Sequence, residues 1–287
     1  MEIAVVSGKG GTGKSSISSA FISIAKNVIA IDCDVDAANL YLLFNPVVEE
    51  ECEFSSGKYA IIDPEKCAAC GICQEACMFD AVHEKDGVYH IDPISCEGCA
   101  LCSRLCVSEA IHMEPSEAGR LYACQFRYGK MLYGRLAPGE DNSGKFVNAL
   151  RDACVELKKK TETNTIILDG PPGIGCPVMS TLTGVDKVVI VTEPTLSGLS
   201  DLKRISTVAK NFTSDVYVII NKADLNAEMA QEIRSYCKDS KTNVITELPF
   251  DKRMVESMVN GQTIIEYAPD SSIAQQLEKA YAQIVNN

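Results

Sequence analysis

Eight of the fourteen cysteines in this 287-residue chain fall between Cys67 and Cys106. They form two runs of the type C-x2-C-x2-C-x3-C: Cys67, Cys70, Cys73, Cys77, then Cys96, Cys99, Cys102, Cys106. Three thiolates spaced two residues apart can curl around one iron–sulfur cubane, each on a different iron. The fourth lies too far round the turn and reaches the other cluster. The spacing thus predicts one [4Fe–4S] cluster on Cys67, Cys70, Cys73 and Cys106, and a second on Cys96, Cys99, Cys102 and Cys77. Zinc is the competing reading, but zinc ribbons use two separated C-x2-C pairs and leave no role for a third and fourth cysteine. The remaining cysteines, Cys33, Cys52, Cys124, Cys154, Cys176 and Cys237, are scattered singly.

A second group of residues is suited to binding phosphate. Gly8-Lys9-Gly10-Gly11-Thr12-Gly13-Lys14-Ser15, with Ser16 following, fits G-x4-G-K-[ST]. Glycines let backbone N–H groups converge on phosphate oxygens, and a helix N-terminus adds the positive end of its dipole. Lys14 would reach the β- and γ-phosphates, and Ser15 would bind Mg²⁺.

These residues need a scaffold that presents them, and the chain supplies one. Glu2–Ser7 reads as a strand, Lys14–Lys26 as a helix and Val28–Asp32 as a strand. Thr165–Asp169, Lys187–Thr192, Val216–Ile220 and Asn243–Leu248 are further short runs rich in Val, Ile or Leu. Helical patterns occupy Gly144–Lys160, Leu196–Asn211 and Ala227–Lys238. Short buried strands alternating with helices predict an α/β fold: a mostly parallel, doubly wound sheet with helices on both faces. In the tail Ser271–Ile284, Ile273, Leu277, Tyr281 and Ile284 share one helical face. Core packing suits that face better than a membrane surface, because surface-binding helices are usually basic.

Residues 63–112 break the rhythm and repeat themselves. Ile62–Val82 aligns with Ile91–Ile111 at a constant offset of 29, with every cysteine matched, as are Asp63-Pro64 with Asp92-Pro93 and Ala81 with Ala110. Two copies suit a small pseudo-symmetric module, inserted into a domain whose halves are 1–62 and 113–287. Nine acids against three bases give the module −6, half of the chain's −12. That charge disfavours nonspecific binding to nucleic acid or anionic membrane. With no apolar run near the ~20 residues of a membrane span and no secretory signal pattern, the expected location is cytoplasmic.

The cysteine module resembles the bacterial two-[4Fe–4S] ferredoxin domain, a small α+β unit, over its whole length. It departs from that family where proline usually follows the last cysteine of each run; Met78 and Val107 stand there. The glycine loop carries a second lysine, Lys9. In this it resembles the deviant Walker motif of the MinD/ParA/Mrp and nitrogenase iron-protein group of P-loop ATPases. In that group the lysine crosses a dimer interface to the partner's nucleotide. The resemblance covers most of the chain outside the insertion. Val28–Leu40 looks like the second strand and switch I, which makes Asp34 the aspartate that helps position the attacking water. Asp32 and Asp36 are weaker candidates, as solvated loop acids. Ile166–Gly173 looks like Walker B and switch II, with Asp169 on the Mg²⁺ hydration shell. Asn221-Lys222-Ala223-Asp224 looks like the base-recognition loop, with Asn221 as the base contact, and Leu248-Pro249-Phe250-Asp251 like the adenine-side loop. The N-K-x-D pattern is also the guanine reader of GTPases; Lys9 and the switch sequence favour ATP.

The resemblance implies a Mg-dependent ATPase with ATP, Mg and two [4Fe–4S] clusters as cofactors, forming an ATP-dependent homodimer. The leading reading couples nucleotide-dependent dimerisation to electron transfer with a redox partner, expected to be basic against the acidic module. A cluster assembly or carrier ATPase with a cluster-accepting partner is the alternative, but the carrier branch's C-P-x-C pair is absent: Cys176-Pro177 continues to Val178-Met179. A positioning ATPase with a redox sensor ranks third. Cys124 and Cys176 are the residues that could hold an additional bridging cluster if the fold brought them together.

Overall fold

Buried β-branched strands and amphipathic helices alternate as the patterning requires. The structure, a computed structural model, describes residues 1–137, 140 and 143–286. The chain opens with β1 (Glu2–Ser7), α1 (Lys14–Ala25), β2 (Val28–Asp32), α2 (Leu40–Phe44) and β3 (Val47–Ile62). The cysteine segment holds α3 (Ile72–Glu75), β4 (Val82–Lys85), β5 (Val88–Ile91) and α4 (Leu101–Leu105). There follow β6 (Ile111–Phe126), β7 (Gly129–Leu136), α5 (Ser143–Lys159), β8 (Thr165–Pro172), α6 (Cys176–Leu182) and β9 (Lys187–Thr192). The last third comprises α7 (Leu196–Ala209), β10 (Val216–Ile220), α8 (Ala227–Asp239), β11 (Asn243–Glu247), α9 (Arg253–Val259), α10 (Ile264–Tyr267) and α11 (Ser272–Asn286).

Nine strands make one sheet in the order β11-β10-β9-β1-β8-β2-β7-β6-β3. β1 pairs in parallel with β8 and β9, β2 with β7 and β8, and β10 with β9 and β11. Alternate strand residues face opposite layers. Ile3, Val5, Val28, Ala30, Met131, Ile167 and Val189 pack with Phe21 of α1 and Ile273, Leu277 and Ile284 of α11. Their neighbours Ala4, Val6, Ile29, Ile31, Leu132, Ile166, Leu168 and Val188 are buried too, as are Phe146, Val147 and Leu150 of α5. The tail helix is therefore core. Lys187, 8% exposed, donates its ammonium to the carbonyl of Ile284 near the helix end.

The readable strands and helices agree with the sequence reading to within a few residues, but three strands of the nine-stranded sheet escaped it, as did β4 and β5 of the small second sheet. Most of β3 is exposed and polar at the sheet edge, so it lacks the buried β-branched run that marked the others. β6 carries Pro115, Ser116 and Gly119 near its middle. It joins β7 through Arg127 and Tyr128 alone. That turn is anchored: Arg127 donates to both carboxylate oxygens of Glu266 at 2.7 and 3.0 Å and to the carbonyls of Phe44 and Gly261. The Tyr128 hydroxyl donates to Glu266 at 2.6 Å.

The chain divides into two compact units. One comprises Met1–Cys52, Arg120–Leu136 and Ser143–Asn287; the other is built on Glu53–Gly119. The second unit is wider than the 63–112 read from the repeat, because β3 and β6 each contribute residues to both units. Its core is Ala60, Ile62, Val82 and Ile111, with six of the eight clustered cysteines packed against it. The repeat is visible in its backbone. The Asp63 N–H donates to the Ala110 carbonyl, and the Asp92 N–H to the Ala81 carbonyl, each at 2.8 Å. Left-handed residues recur at the same offset: Ala69 with Gly98, Gly71 with Ala100, and Asp80 with Glu109.

Candidate functional site

The phosphate loop follows β1 and ends where α1 begins. Gly13 at that junction has φ +90°, and a Cβ there would lie 2.3 Å from the Asn221 amide nitrogen, so only glycine fits. Lys14 opens α1 and is buried, with its ammonium 2.9 Å from Asp169 Oδ1 and 3.3 Å from the Ser15 hydroxyl. Ser18, one turn further on the same face, donates to the same Asp169 oxygen at 2.7 Å. Asp169 Oδ2 is buried with no partner among the described residues. Burial alone would lower Lys14, but Asp169, Asp32 and Asp34 outweigh it and hold the ammonium above its ordinary pKa.

Parallel pairing of β2 with β8 sets Asp32 directly opposite Asp169. Asp32 is 0% exposed, and burial, then the charge of Asp169, push it up to about 7. It is not the solvated loop acid the sequence reading made it. Its carboxylate accepts the N–H groups of Asp34 at 3.2 Å, Asn39 at 2.9 Å and Leu40 at 3.0 Å, and so holds the loop after β2 in place. Asp34 is half-buried on that loop, and burial raises it above the usual carboxylate range. Asp36 is exposed.

A cavity of about 320 Å³ is lined by Gly11, Gly13, Lys14, Ser15 and Ser16 on one side, and by Asn221, Lys222, Pro249, Phe250, Asp251, Met254 and Val255 on the other. That size suits a small-molecule site. Its lining unites the phosphate loop with the two loops read as base-side. Asn221 is committed to the scaffold: its amide nitrogen donates to the Thr12 carbonyl at 2.8 Å, and its amide oxygen accepts the Lys222 N–H. Asp224 Oδ1 accepts the backbone N–H of Phe250 at 2.6 Å, tying two loops together with the atom a guanine reader would present.

Lys9 is held within its own chain. Its ammonium lies 2.7 Å from Glu193 Oε1, 2.8 Å from the Ser197 hydroxyl and 3.2 Å from the Thr195 hydroxyl. Glu193 Oε2 takes Lys222 at 3.1 Å, and Lys222 also donates to the Gly11 carbonyl. Burial alone would raise Glu193, but hydrogen bonds from Lys9 and Lys222 outweigh it and hold the carboxyl below its ordinary range. Glu193, Thr195, Ser197 and Ser18 were missed in the sequence. The available signal for the first three was their position just after β9, since ligand loops of parallel sheets follow the carboxyl ends of strands.

In the second unit the thiols line two hollows. One is bounded by Cys67, Cys70, Cys73 and Cys106, the other by Cys77, Cys96, Cys99 and Cys102. Each set takes three thiols from one run and the last from the other. Backbone amides point at the sulfurs: Ala81 N–H to Cys77 at 3.4 Å, Ala110 N–H to Cys106 at 3.3 Å and Ala60 N–H to Cys96 at 3.5 Å. At Cys106 the hydrogen bond with the Ser108 hydroxyl, joined by backbone amides, holds the thiol below its ordinary range. Among the described residues, no three His, Cys, Asp or Glu converge tightly enough to hold one metal ion.

The two isolated cysteines singled out for an additional cluster stand in different surroundings. Cys124 is 1% exposed in the sheet core, where burial pushes its thiol up to about 11; Cys176 is exposed at the start of α6. Among the described residues, no helix is long and apolar enough to cross a membrane.

Known proteins share this fold. The family model of the CobQ/CobB/MinD/ParA nucleotide binding domain matches residues 3–264. The uncharacterized protein MJ0578 of Methanocaldococcus jannaschii is 38% identical over 229 residues, 79% of this chain and 79% of its own length. MJ0579 of the same organism is 30% identical over 297 residues, covering 93% of this chain and 92% of its own. The septum site-determining protein MinD of Pyrococcus horikoshii, solved with Mg-ADP, superposes with a TM-score of 0.57 at 18% identity, over 99% of this chain and 95% of that one. At that identity the likeness speaks for the fold alone.

Proposed function

The chain belongs to the CobQ/CobB/MinD/ParA nucleotide-binding family of P-loop ATPases, and we propose that it is a Mg-dependent ATPase whose inserted unit carries two [4Fe–4S] clusters for electron transfer. The nucleotide half of the reading rests on the cavity that joins the phosphate loop to Pro249 and Phe250. Lys14 would leave Asp169 for the β- and γ-phosphates, a lysine's usual role in such loops. That exchange frees Asp169, with Ser15, to hold the hydration shell of Mg²⁺. Asp34, on the loop braced by Asp32, would orient the attacking water. Adenine is favoured over guanine because Asp224 is already bonded to the Phe250 amide.

One observation carries the cluster half: two hollows, each lined by four thiols drawn crosswise from the two runs. When bound, the clusters would supply one-electron chemistry, and the chain's part is to hold them with Cys67, Cys70, Cys73 and Cys106, and with Cys96, Cys99, Cys102 and Cys77. Both cubanes would then be saturated by protein thiolates, which suits clusters that stay and pass electrons rather than clusters handed on. In sequence, the insertion lies between the loop after β2 and the loop after β8, which are the two switch segments. An ATP-dependent homodimer that changes cluster potential, and a basic redox partner for the acidic unit, complete the proposal.

Membership of a family that includes MinD and ParA motivates a second reading, a positioning ATPase in which the clusters act as a sensor. One experiment separates the readings. Anaerobically purified protein is assayed for iron and sulfide, then titrated spectroelectrochemically with no nucleotide, with ADP and with a non-hydrolysable ATP analogue. About eight iron and eight sulfide per chain are expected from two cubanes, with potentials that move with nucleotide. Zinc in place of iron would remove the cluster reading. Intact clusters with identical potentials and electron-transfer rates in all three states would remove the ATP-gated one.

A further inference from the structure

We propose that His83 and His90 form a binding site for a divalent transition-metal ion on the outer face of the β4–β5 hairpin, and that the ion staples the two strands together. The chain has three histidines, and the fold makes two of them meet. Asp86-Gly87 joins β4 to β5, and both residues are left-handed, with φ of 55° and 80°, as a two-residue hairpin turn demands. Such a turn fixes the register of its strands, and here the register sets His83 directly opposite His90. Residues so opposed carry their Cβ atoms about 4.5–5.5 Å apart on one face. Both imidazoles are exposed, with ring centroids 6.1 Å apart and planes inclined by 48°. That gap admits one ion at about 2.0–2.1 Å from a nitrogen of each ring.

The pair is separate from the thiol hollows, because side chains alternate across a strand. Val82 and Ile91 line one hollow and Tyr89 lines the other, so His83 and His90 stand on the opposite face. Lys85 and Val88 share that face toward the turn, and Asp92 follows His90 by two residues. Asp92 brings charge rather than a ligand, since its oxygens accept the Ile94 N–H at 3.1 Å and the Ser95 hydroxyl at 2.7 Å. Two imidazoles are therefore the donors, and water fills the remaining positions. Imidazole suits nickel, zinc and copper; magnesium and calcium take oxygen ligands instead. The repeat supplies a comparison within the chain. Its offset of 29 carries His83 to His112 and sets His90 level with Ile61. The equivalent of the pair is thus one imidazole without a second, and His112 lies 3.2 Å from Glu114. A two-stranded sheet is marginal on its own, and this one walls both hollows. An ion that bridges its strands would hold that wall in place.

Diethyl pyrocarbonate acylates the free nitrogen lone pair of an imidazole, the same lone pair that a metal ion occupies. The anaerobically purified full chain is treated briefly across a Ni²⁺ titration, and acylation at each histidine is read by peptide mass spectrometry. This readout is blind to Ni²⁺ taken up by cysteine thiols. His83 and His90 should be protected together, with one midpoint. His90→Asn, a change at an exposed position, should raise the midpoint at His83 about tenfold, the order of coupling lost when neighbours no longer share a partner. His112, with no second imidazole, should need at least about tenfold more Ni²⁺ than the pair for the same reason. Zn²⁺ should protect the pair and Mg²⁺ should not. At Ni²⁺ ten times the midpoint, hydrogen exchange at the amides of β4 and β5 should slow about tenfold in wild type and not in His90→Asn. Separate midpoints for His83 and His90, equal protection of His112, protection by Mg²⁺, or an unchanged His83 midpoint in His90→Asn would each overturn the site. Protection of the pair with unchanged hydrogen exchange would overturn the staple.

Discussion

Lys14→Met should destabilise the nucleotide-free protein by about 3–5 kcal/mol at pH 8, independently of any effect on hydrolysis. Lys14 is a buried cation, 2.9 Å from an aspartate with no exposed surface. Removing one partner of a buried pair leaves the other charge uncompensated, and that loss is of this order. Here the residue left behind is worse placed than most. Asp169 already has one oxygen without a partner among the described residues, and Asp32, also fully buried, faces it across the paired strands. Methionine matches the lysine stem in length, so the change tests charge rather than packing. The pH dependence has a definite sign. A carboxyl whose folded pKa lies above its unfolded value costs stability above the unfolded value, and the cost is relieved as pH falls through the folded pKa. Asp32 sits at about 7 even with Lys14 present. Without Lys14 the pair should take up a proton still more readily. The deficit of Lys14→Met relative to wild type should therefore shrink by at least half between pH 8 and pH 5. Urea unfolding, monitored anaerobically without nucleotide, measures this directly. Adding Asp169→Asn to Lys14→Met should recover about 2–3 kcal/mol and no ATPase activity, because Lys14 is needed on the phosphates in either case. A deficit that is the same at both pH values, or a double variant no more stable than Lys14→Met, would show that the ion pair is not what the lysine contributes to the fold.

Cys77→Ser should damage the cluster otherwise held by Cys96, Cys99 and Cys102, although Cys77 belongs to the first run; resonance signals assigned to each cluster should show loss at that one, and loss at the first run's cluster would refute the crossing. Glu266, held at about 2 chiefly by Arg127 and Tyr128 against the opposing effect of its burial, contributes stability that is full above pH 4.5 and lost as pH falls toward 2. Glu266→Gln should cost about 1–2 kcal/mol at pH 7 after allowance for solvent screening, with the deficit narrowing between pH 5 and 3; a deficit that is flat across that range would mean the charge is immaterial. Asp34→Ala should still bind ATP but turn it over poorly, and wild-type turnover would take away its assigned role.

The parts of the fold that were legible in the sequence are those whose signal is local. β1, α1 and β2 declare themselves through an unbroken apolar run, a glycine loop and a second run, and the register that sets Asp32 opposite Asp169 follows from ordinary parallel pairing. β3 was not legible because its residues satisfy no burial pattern: seven of its sixteen residues in succession are exposed at the sheet edge. Nothing in Glu49-Glu50-Glu51 demands a strand, and its pairing with β6 is decided by residues some seventy positions away. The repeat in the cysteine unit lies between these cases. Its offset of 29 was plain in the cysteines, and the same offset orders hydrogen bonds and left-handed residues that no cysteine dictates. At Ala69 and Ala100 one copy has alanine where the other has glycine, so the backbone conformation is retained with a side chain that does not favour it. That conformation is required by the turn that spaces the thiols, not by the residue occupying it.

Lys9 marks where reading from residue types stops. Its presence in the loop is a local fact and carries the family resemblance. Its acceptors are Glu193, Thr195 and Ser197, more than 180 positions distant, and only the placing of β9 beside β1 brings them to it. The same holds for Asp32, which looks like a loop acid in a row of three and turns out to be the one that is fully buried. In both cases the sequence names a charged group near phosphate, and the fold decides which charge answers it. A charge answered within the chain costs energy to redirect, so each such pair is a place where bound nucleotide can do work on the protein. Lys14 with Asp169, and Lys9 with Glu193, are two such pairs on one loop. The first is buried and governs stability as well as chemistry. The second is partly exposed, 27% at Lys9 and 16% at Glu193, and so weaker.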